Sequence, residues 1–142
     1  MKYCIYSPEE WKPLSENAHL ACFGEFRENS LNTYDYVLAI FKDDGEICGY
    51  VSIIEMDKET AYMQHGGSFP NAQGTTAVVR IHREMLRHLK TKYKSVTTQI
   101  ENTNIPMIRL ALMNGFIING VSQLWGHTLL SLINDFIKEE VN

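Results

Sequence analysis

The sequence predicts a single α+β domain over residues 1–142, with elements in the order β-α-β-β-β-α-β-α-β-β. Three observations predict it. β-rich runs separated by short polar turns fill residues 36–68. Apolar residues recur at helical spacing both before and after these runs. Residues 95–118 then give a strand, a helix and a second strand with very short connections. A chain of 142 residues is long enough to bury one sizeable core.

The junction between the first strand and the first helix is well marked. Lys2–Tyr6 is β-rich, and the following Ser7-Pro8-Glu9-Glu10 supplies a capping hydroxyl, a proline at the first helical position and acids in the first turn. The helix should continue to about Glu25, and the polar stretch Arg27–Asp35 should be a loop. The apolar face of the helix is predicted to consist of Trp11, Leu14, Ala18 and Cys22.

A meander of three strands should follow. The strands are predicted at Tyr36–Phe41, Glu46–Glu55 and Ala61–Ser68. The first turn, Lys42–Gly45, contains an Asp-Gly pair that suits a hairpin, and the second turn covers Asp57–Thr60.

The second half of the chain should alternate helices and strands. Apolar residues at helical spacing predict a helix from about Thr75 to Lys92. Asn104 can cap the next helix, and Gly115 can end it. The remaining predicted elements are a strand at Ser95–Glu101, a helix at Ile105–Asn114, and two closing strands at Phe116–Ile118 and Val121–Leu132.

Composition narrows the class of protein. The net charge is −4, with 44% hydrophobic and 21% charged residues, which is an ordinary globular mixture. The apolar runs are too short to span a bilayer, and no secretory signal follows Met1, so we expect a cytoplasmic protein without a membrane partner. Three cysteines without CxxC spacing predict reduced thiols and no metal site.

One stretch is strongly basic. Arg80–Lys94 carries six Lys or Arg residues against Glu84. This stripe could attract a phosphate-bearing ligand, or it could be the solvated face of an amphipathic helix. Because binding to nucleic acid requires many phosphate contacts, an acidic protein of this size is a poor general binder, and we expect no nucleic-acid partner.

The helix that follows Asn104 resembles a signature of the GCN5-related N-acetyltransferase (GNAT) superfamily. That signature reads roughly N-x-x-A-x-x-L-Y-x-K-x-G-F, and Asn104, Leu110 and Gly115-Phe116 stand at matching places. The order of elements is also that of the family. Where the family commonly has the tyrosine that protonates the leaving thiolate, this chain has Ala111.

A second motif precedes the long helix. The stretch FPNAQGTTAV, residues 69–78, resembles the phosphate-binding turn of the family, P-x-x-[QR]-G-x-G-x-[GA]. Pro70, Gln73 and Gly74 match, whereas Thr76 replaces the second glycine and Val78 occupies the last small position. The compact size and this degenerate turn are similar to small phage-encoded members of the superfamily.

The resemblance implies the GNAT fold, with a mixed, mostly antiparallel sheet that is splayed between its fourth and fifth strands, and acetyl-CoA or another acyl-CoA as the acyl donor. Asn104 would face the cofactor from one wall of the gap. Implied on the other side are Ser68 and Phe69 against the pantetheine arm, Gln73 at the turn, and the pyrophosphate on the main-chain amides of Gly74, Thr75, Thr76 and Ala77.

Physical chemistry supports an anion at this turn without the resemblance. A glycine-containing loop that leads into a helix presents free N–H groups and the positive end of the helix dipole. A plain helix start is the alternative, just as Asn104 could be a simple N-cap. Nearby, Gly66-Gly67 predicts a bulge or a close backbone approach late in the strand.

The residues for acid–base chemistry are less clear from the sequence. Amide formation needs a base that removes a proton from the ammonium group of the acceptor. We predict Glu101 and His65 for this role, because histidine titrates near neutrality and burial can raise a glutamate toward it. A structural or exposed role is the alternative for His65. Trp125 and His127 fall in the last predicted strand, where they could line a substrate wall or an interface; for Trp125 we expect an ordinary core role instead.

Two functions follow from these observations. The first is an acetyl-CoA-dependent N-acetyltransferase that acts on a small-molecule or protein amine. The second, favoured by Ala111 and the substituted glycines, is a catalytically silent GNAT-fold protein that binds acyl-CoA or another protein. A final apolar strand that could pair with a partner's sheet is compatible with a homodimer.

Overall fold

The computed structural model describes residues 1–24, 33–72 and 74–136. Within these ranges the elements follow the predicted order. Most of the predicted loop Arg27–Asp35 and the predicted site residue Gln73 lie outside the described residues. The strands are β1 (Lys2–Tyr6), β2 (Tyr36–Phe41), β3 (Ile47–Glu55), β4 (Thr60–Ser68), β5 (Ser95–Glu101), β6 (Ile117–Leu124) and β7 (His127–Asp135), and the helices are α1 (Pro8–Phe23), α2 (Thr75–Lys92) and α3 (Ile105–Met113), with a 3₁₀ turn at Pro70–Ala72 before α2.

The seven strands of the described residues form a sheet in the order β1-β2-β3-β4-β5-β7-β6, and most of its pairings are antiparallel. The residues divide into two compact units. Unit 1 consists of residues 1–54 and 63–85, and unit 2 of residues 55–62 and 86–142. Both β4 and α2 therefore contribute to each unit.

The start of α1 is fixed by a capping box. The backbone N–H of Glu10 donates to the Ser7 hydroxyl over 3.2 Å, and the Ser7 N–H donates to the Glu10 carboxylate over 2.9 Å. Because these bonds satisfy two otherwise unpaired donors, the Ser7-Pro8-Glu9-Glu10 sequence is sufficient to place the helix start. The helix ends at Gly24, which has a φ of 75° and donates its N–H to the Leu20 carbonyl.

Unit 1 buries both faces of its strands. On one face, Trp11 and Ala18 of α1 pack with Val37, Ala39 and Tyr50. On the other face, α2 approaches β3 at Gly49, where an added Cβ would lie 2.6 Å from Cγ2 of Ile81. Of the predicted apolar face of α1, Leu14 is exposed, whereas Trp11 and Ala18 are buried and Cys22 packs against the same cluster.

Unit 2 is built on the antiparallel pairing of β5 with β7. Glu101 at the end of β5 lies opposite Leu129, and Ser95 lies opposite Asp135. The Asn134 side chain is 2% exposed and donates to the carbonyl of Asn114, which ties the end of α3 to β7.

The predicted boundary between the last two strands was wrong. β6 continues through Gly120, which lies opposite Ser131 at a register shift, and the chain reverses only at Trp125-Gly126. Gly120 therefore lies at an irregularity in the pairing of β6 with β7 and does not form the turn between them. Trp125, expected in the core, is 91% exposed and has a φ of 49° in this two-residue turn.

The basic stripe is the solvated face of α2. Arg80, Arg83, Arg87 and Lys90 are exposed, whereas Ile81, Met85 and Leu89 on the opposite face are buried. No helix among the described residues is long and apolar enough to cross a membrane.

Candidate functional site

The phosphate-binding turn predicted from the sequence becomes the start of α2. The 3₁₀ turn before it is closed by a 3.0 Å hydrogen bond from the Ala72 N–H to the Phe69 carbonyl. Asn71 fixes the turn to β3 by donating to the Ile47 carbonyl over 3.1 Å and to the Glu46 carboxylate over 3.0 Å. The turn is therefore held in place before the helix begins.

Gly74 has the conformation that this helix start requires. Its φ is 120°, a region that favours glycine, and a Cβ there would meet nothing within 4 Å. The first bond of the helix runs from the Val78 N–H to the Gly74 carbonyl over 3.0 Å. The N–H groups of Thr75, Thr76 and Ala77 thus belong to the first helical turn, which has no intrahelical acceptor for them. Gly74 and Thr76 are exposed, so an anionic group can approach these amides from solvent, as the chemistry of a pyrophosphate requires.

The two glycines of β4 are sites of close approach, as predicted. A Cβ on Gly66 would lie 2.5 Å from the Tyr50 carbonyl oxygen, and one on Gly67 would lie 2.8 Å from Cβ of Cys22 in α1. Gln64 and Gly67 both turn toward the α1 face, Gln64 through a 3.1 Å contact with the Ser52 hydroxyl. Residues three apart share a face only where the alternation of the strand is broken, which indicates an irregularity between them.

Ser68 and Phe69 continue from these glycines. Both residues are half-buried. Phe69 donates its N–H to the Cys48 carbonyl over 3.0 Å, and its ring lies 6.3 Å from the Tyr50 ring, centroid to centroid. The main chain of Phe69 is therefore bonded within unit 1, and a role of Ser68 and Phe69 beside a pantetheine arm stays a prediction.

His65 lies in a polar cluster of unit 1. Its N–H donates to the Ser52 hydroxyl over 3.1 Å, and that hydroxyl also lies 3.3 Å from the His65 carbonyl. Desolvation by the surrounding protein, with a smaller contribution from the charge of His19, lowers the pKa of His65. At neutral pH the imidazole of His65 is therefore held in the neutral form that can accept a proton.

Glu101 lies at the exposed end of β5. Its side chain is 49% exposed, and its Oε1 lies 2.9 Å from Nδ1 of His127. The partner, His127, comes from the start of β7. Sequence reasoning missed this pairing because it took Trp125 to lie within a strand; a turn at Trp125-Gly126 would have placed His127 beside the end of β5.

Asn104 is the N-cap of α3, since its Oδ1 accepts the Met107 N–H over 3.4 Å. Ala111, at the position of the family tyrosine, is fully buried. It can neither donate a proton nor leave room for a larger side chain without repacking. The structure thus brings together residues 74–77 with Ser68 and Phe69 in unit 1, and Glu101 with Asn104 in unit 2. Among the described residues, no group of His, Cys, Asp or Glu is arranged to hold a metal ion.

Comparisons with known proteins agree with this architecture. No family model and no curated protein matches the sequence. Among solved structures, a GNAT family acetyltransferase from Elizabethkingia anophelis with acetyl-CoA bound is 15% identical, with a TM-score of 0.69 over 94% of this chain and 97% of that one. A spermidine N-acetyltransferase chimera from Vibrio cholerae is 11% identical, with a TM-score of 0.75 over 100% of both chains.

A third structure is longer. The match to a nourseothricin acetyltransferase, 16% identical with a TM-score of 0.55, covers 70% of this chain but only 64% of that one. At these identities the likeness establishes the fold, and the mixed, mostly antiparallel sheet of this chain is the GNAT fold that the motifs predicted.

Proposed function

We propose that this protein is an N-acetyltransferase that moves an acetyl group from acetyl-CoA to an amine. The observation that carries the proposal is the Gly74 turn at the start of α2, where exposed main-chain amides and the positive end of a helix dipole converge. The GNAT fold adds support, because a solved structure of that fold holds acetyl-CoA.

The cofactor would be held mainly by the backbone. The amides of Gly74, Thr75, Thr76 and Ala77 would bind the pyrophosphate, and Gln73 keeps the cofactor-binding role that the motif predicts for it. Ser68, Phe69 and Asn104 would lie along the pantetheine arm. Acetyl-CoA supplies an activated thioester, and the residues of the chain orient it and accept the proton that the acceptor amine must lose.

The acceptor would be a primary amine, either a small molecule or a protein. Spermidine N-acetyltransferases are among the structures with this fold, so polyamines are a first class to test. The three cysteines are free thiols, which suits the cytoplasmic location we propose. We propose neither a nucleic-acid nor a membrane partner, and a homodimer remains compatible with the exposed apolar side chains of β6.

The buried Ala111 favours a second candidate, a protein of the same fold that binds acyl-CoA without transferring the acyl group. The two candidates agree on binding and differ on turnover. If the protein is an enzyme, the departing sulfur must receive its proton from a group other than residue 111, such as the attacking amine or water.

Calorimetric titration with acetyl-CoA tests the shared part. We expect micromolar binding to the wild type and a loss of at least tenfold in affinity for Thr76→Trp, because the indole would cover the amides of the first turn. Thr91→Trp is the matched control, since Thr91 is an exposed residue at the other end of the same helix and should leave affinity unchanged.

The three possible results separate the candidates. Absence of binding to the wild type would contradict both. If Thr76→Trp and Thr91→Trp weaken acetyl-CoA binding equally, residues 74–77 are not the pyrophosphate site. Binding without release of CoA in the presence of any amine would favour the silent protein over the enzyme.

A further inference from the structure

The start of β7 and the end of β5 hold a carboxylate and an imidazole in contact. Oε1 of Glu101 and Nδ1 of His127 are 2.9 Å apart. Glu101 lies opposite Leu129 in the antiparallel pairing, so His127, two residues from Leu129, is the diagonal neighbour of Glu101 on the same face of the sheet. The contact therefore follows from the register of the two strands.

The backbone around this pair is fixed by several hydrogen bonds. The Asn102 N–H donates to the Thr128 carbonyl over 3.0 Å, which extends the pairing of β5 with β7 by one step. Gln123 donates to the Thr128 hydroxyl over 2.9 Å from the neighbouring strand β6. The Asn104 N–H donates to the Glu101 carbonyl over 3.0 Å, where the chain turns into α3. Both side chains thus project from a well-bonded part of unit 2.

The contact selects one form of the imidazole. A carboxylate only accepts, so Nδ1 of His127 must carry the proton of this hydrogen bond. In the neutral ring, Nε2 is then the nitrogen with a lone pair. The His127 side chain is 62% exposed, which leaves this nitrogen accessible to a ligand from solvent.

Stability alone gives little reason for the pair. Ion pairs between exposed side chains contribute about 0–1 kcal/mol. The same geometry is effective in proton transfer, because a carboxylate that accepts from one ring nitrogen orients the imidazole and stabilises the cation formed when the other nitrogen takes a proton.

We propose that His127 is the general base of the acetyl transfer and that Glu101 is its positioning residue. This inference rests on the proposed function and replaces Glu101 as the predicted base. The ammonium group of the acceptor loses one proton to Nε2 of His127, which later releases it to solvent. The resulting amine attacks the thioester carbon; the C–N bond forms, the C–S bond breaks, and a second proton passes from nitrogen to the departing sulfur. The products are the amide, CoA thiol and one proton.

The test compares three variants in the full-length protein. His127→Asn keeps a donor for Glu101 but cannot take a proton, Glu101→Gln removes the carboxylate, and His65→Gln tests the other histidine that the sequence predicts as the base. Each is assayed for acetyl-CoA binding by calorimetry and for CoA release with spermidine and with a short peptide that has a free α-amino group, from pH 5.5 to 9.

We expect all three variants to bind acetyl-CoA like the wild type. His127→Asn should lower kcat by roughly 100-fold or more and abolish the decline of kcat/KM on the acidic side, where a histidine base becomes protonated. Glu101→Gln should lower kcat about tenfold, and Glu101→Asp should restore part of the loss. The ¹⁵N resonances of the His127 ring should show a protonated Nδ1 in the neutral form, and this signature should change in Glu101→Gln.

Several results would overturn the proposal. If His127→Asn keeps the wild-type rate and the decline of kcat/KM at acidic pH, His127 is not the base, although the transferase function stands. Loss of that decline in His65→Gln would lead to the same conclusion. If the neutral ring of His127 carries its proton on Nε2 instead of Nδ1, the proposed hydrogen bond to Glu101 is wrong. This measurement needs no acceptor amine. If the wild type binds no acetyl-CoA or transfers to neither probe, the proposed function fails, and the assigned role of His127 fails with it.

Discussion

Two histidine regions of the molecule differ in what surrounds them. His65 lies beside glycines against which the backbone of β3 and the end of α1 are tightly packed, and desolvation lowers its pKa. His127 follows an exposed turn and is paired with a carboxylate that water also reaches. Desolvation favours the neutral form of His65, although this residue is exposed, whereas a hydrogen bond orients His127. A protein can therefore prepare a histidine for proton transfer by packing or by a partner, and only the second arrangement also stabilises the protonated form.

The packing around His65 can be tested at its neighbouring glycine. Gly66→Ala should destabilise the protein by about 3 kcal/mol, because the new Cβ would lie 2.5 Å from a backbone oxygen of β3 that cannot move cheaply. Gly120→Ala in β6 is the matched control: its Cβ would lie 3.6 Å from Cβ of Ser131, an ordinary contact, so stability should change by less than about 0.5 kcal/mol. Urea denaturation followed by fluorescence measures both. Equal effects of the two alanines would show that close packing does not distinguish the regions.

A third histidine extends the comparison to full burial. His82 in α2 is 5% exposed, and desolvation lowers its pKa to about 4. The unfolded chain, with a histidine pKa of about 6.5, then binds more protons than the folded protein as the pH falls from 6.5 toward 4, so stability is lost across that window. From these values, His82 should cost the wild type about 2 kcal/mol between pH 7 and pH 4.5.

Denaturation at the two pH values measures this cost. His82→Leu should lose about 2 kcal/mol less than the wild type over the same interval, whatever its stability at pH 7. Val79→Ala, which removes buried apolar atoms from the same helix and no titratable group, should keep the wild-type pH dependence even where its stability at pH 7 is lower. A His82→Leu variant with the pH dependence of the wild type would mean that His82 accepts a proton in the folded state as readily as in the unfolded one.

The sequence predicted unit 1, which contains His65, better than the surroundings of His127. Ser7 and Glu10 determine the start of α1 through local bonds, and Gly66-Gly67 signals a close approach because glycine is the residue that permits it. Such signals depend on a few neighbouring residues. The same is true of the Gly74 turn, whose role as a helix start could be predicted from the adjacent amphipathic pattern.

The contact between Glu101 and His127 depends on the register of β7 with its neighbouring strands, which local sequence specifies weakly. Gly120 and Gly126 are both plausible turn residues, yet one lies opposite Ser131 within the hairpin and the other has a φ of 81° in the turn. The choice between them shifts the pairing partners of β7 and decides whether His127 reaches Glu101. Glu101 and His127 are 26 residues apart in the sequence, so neither could be recognised as the partner of the other from its own surroundings.

The turn beside His127 should be improvable, unlike the packed glycines beside His65. Trp125 and Gly126 both have positive φ, at 49° and 81°, as a two-residue type I′ hairpin turn requires, and a bulky residue is unfavourable in the first position. Trp125→Asn should therefore stabilise the protein by about 0.5–1 kcal/mol, because asparagine tolerates this conformation and the 91% exposed indole contributes little burial. Thermal and urea denaturation measure the gain, with Trp125→Val as a β-branched control that should be no more stable than the wild type. If Trp125→Asn is instead destabilised, the indole makes stabilising contacts in solution, for example across a homodimer, and sedimentation of the wild type and the variant would reveal the difference in assembly.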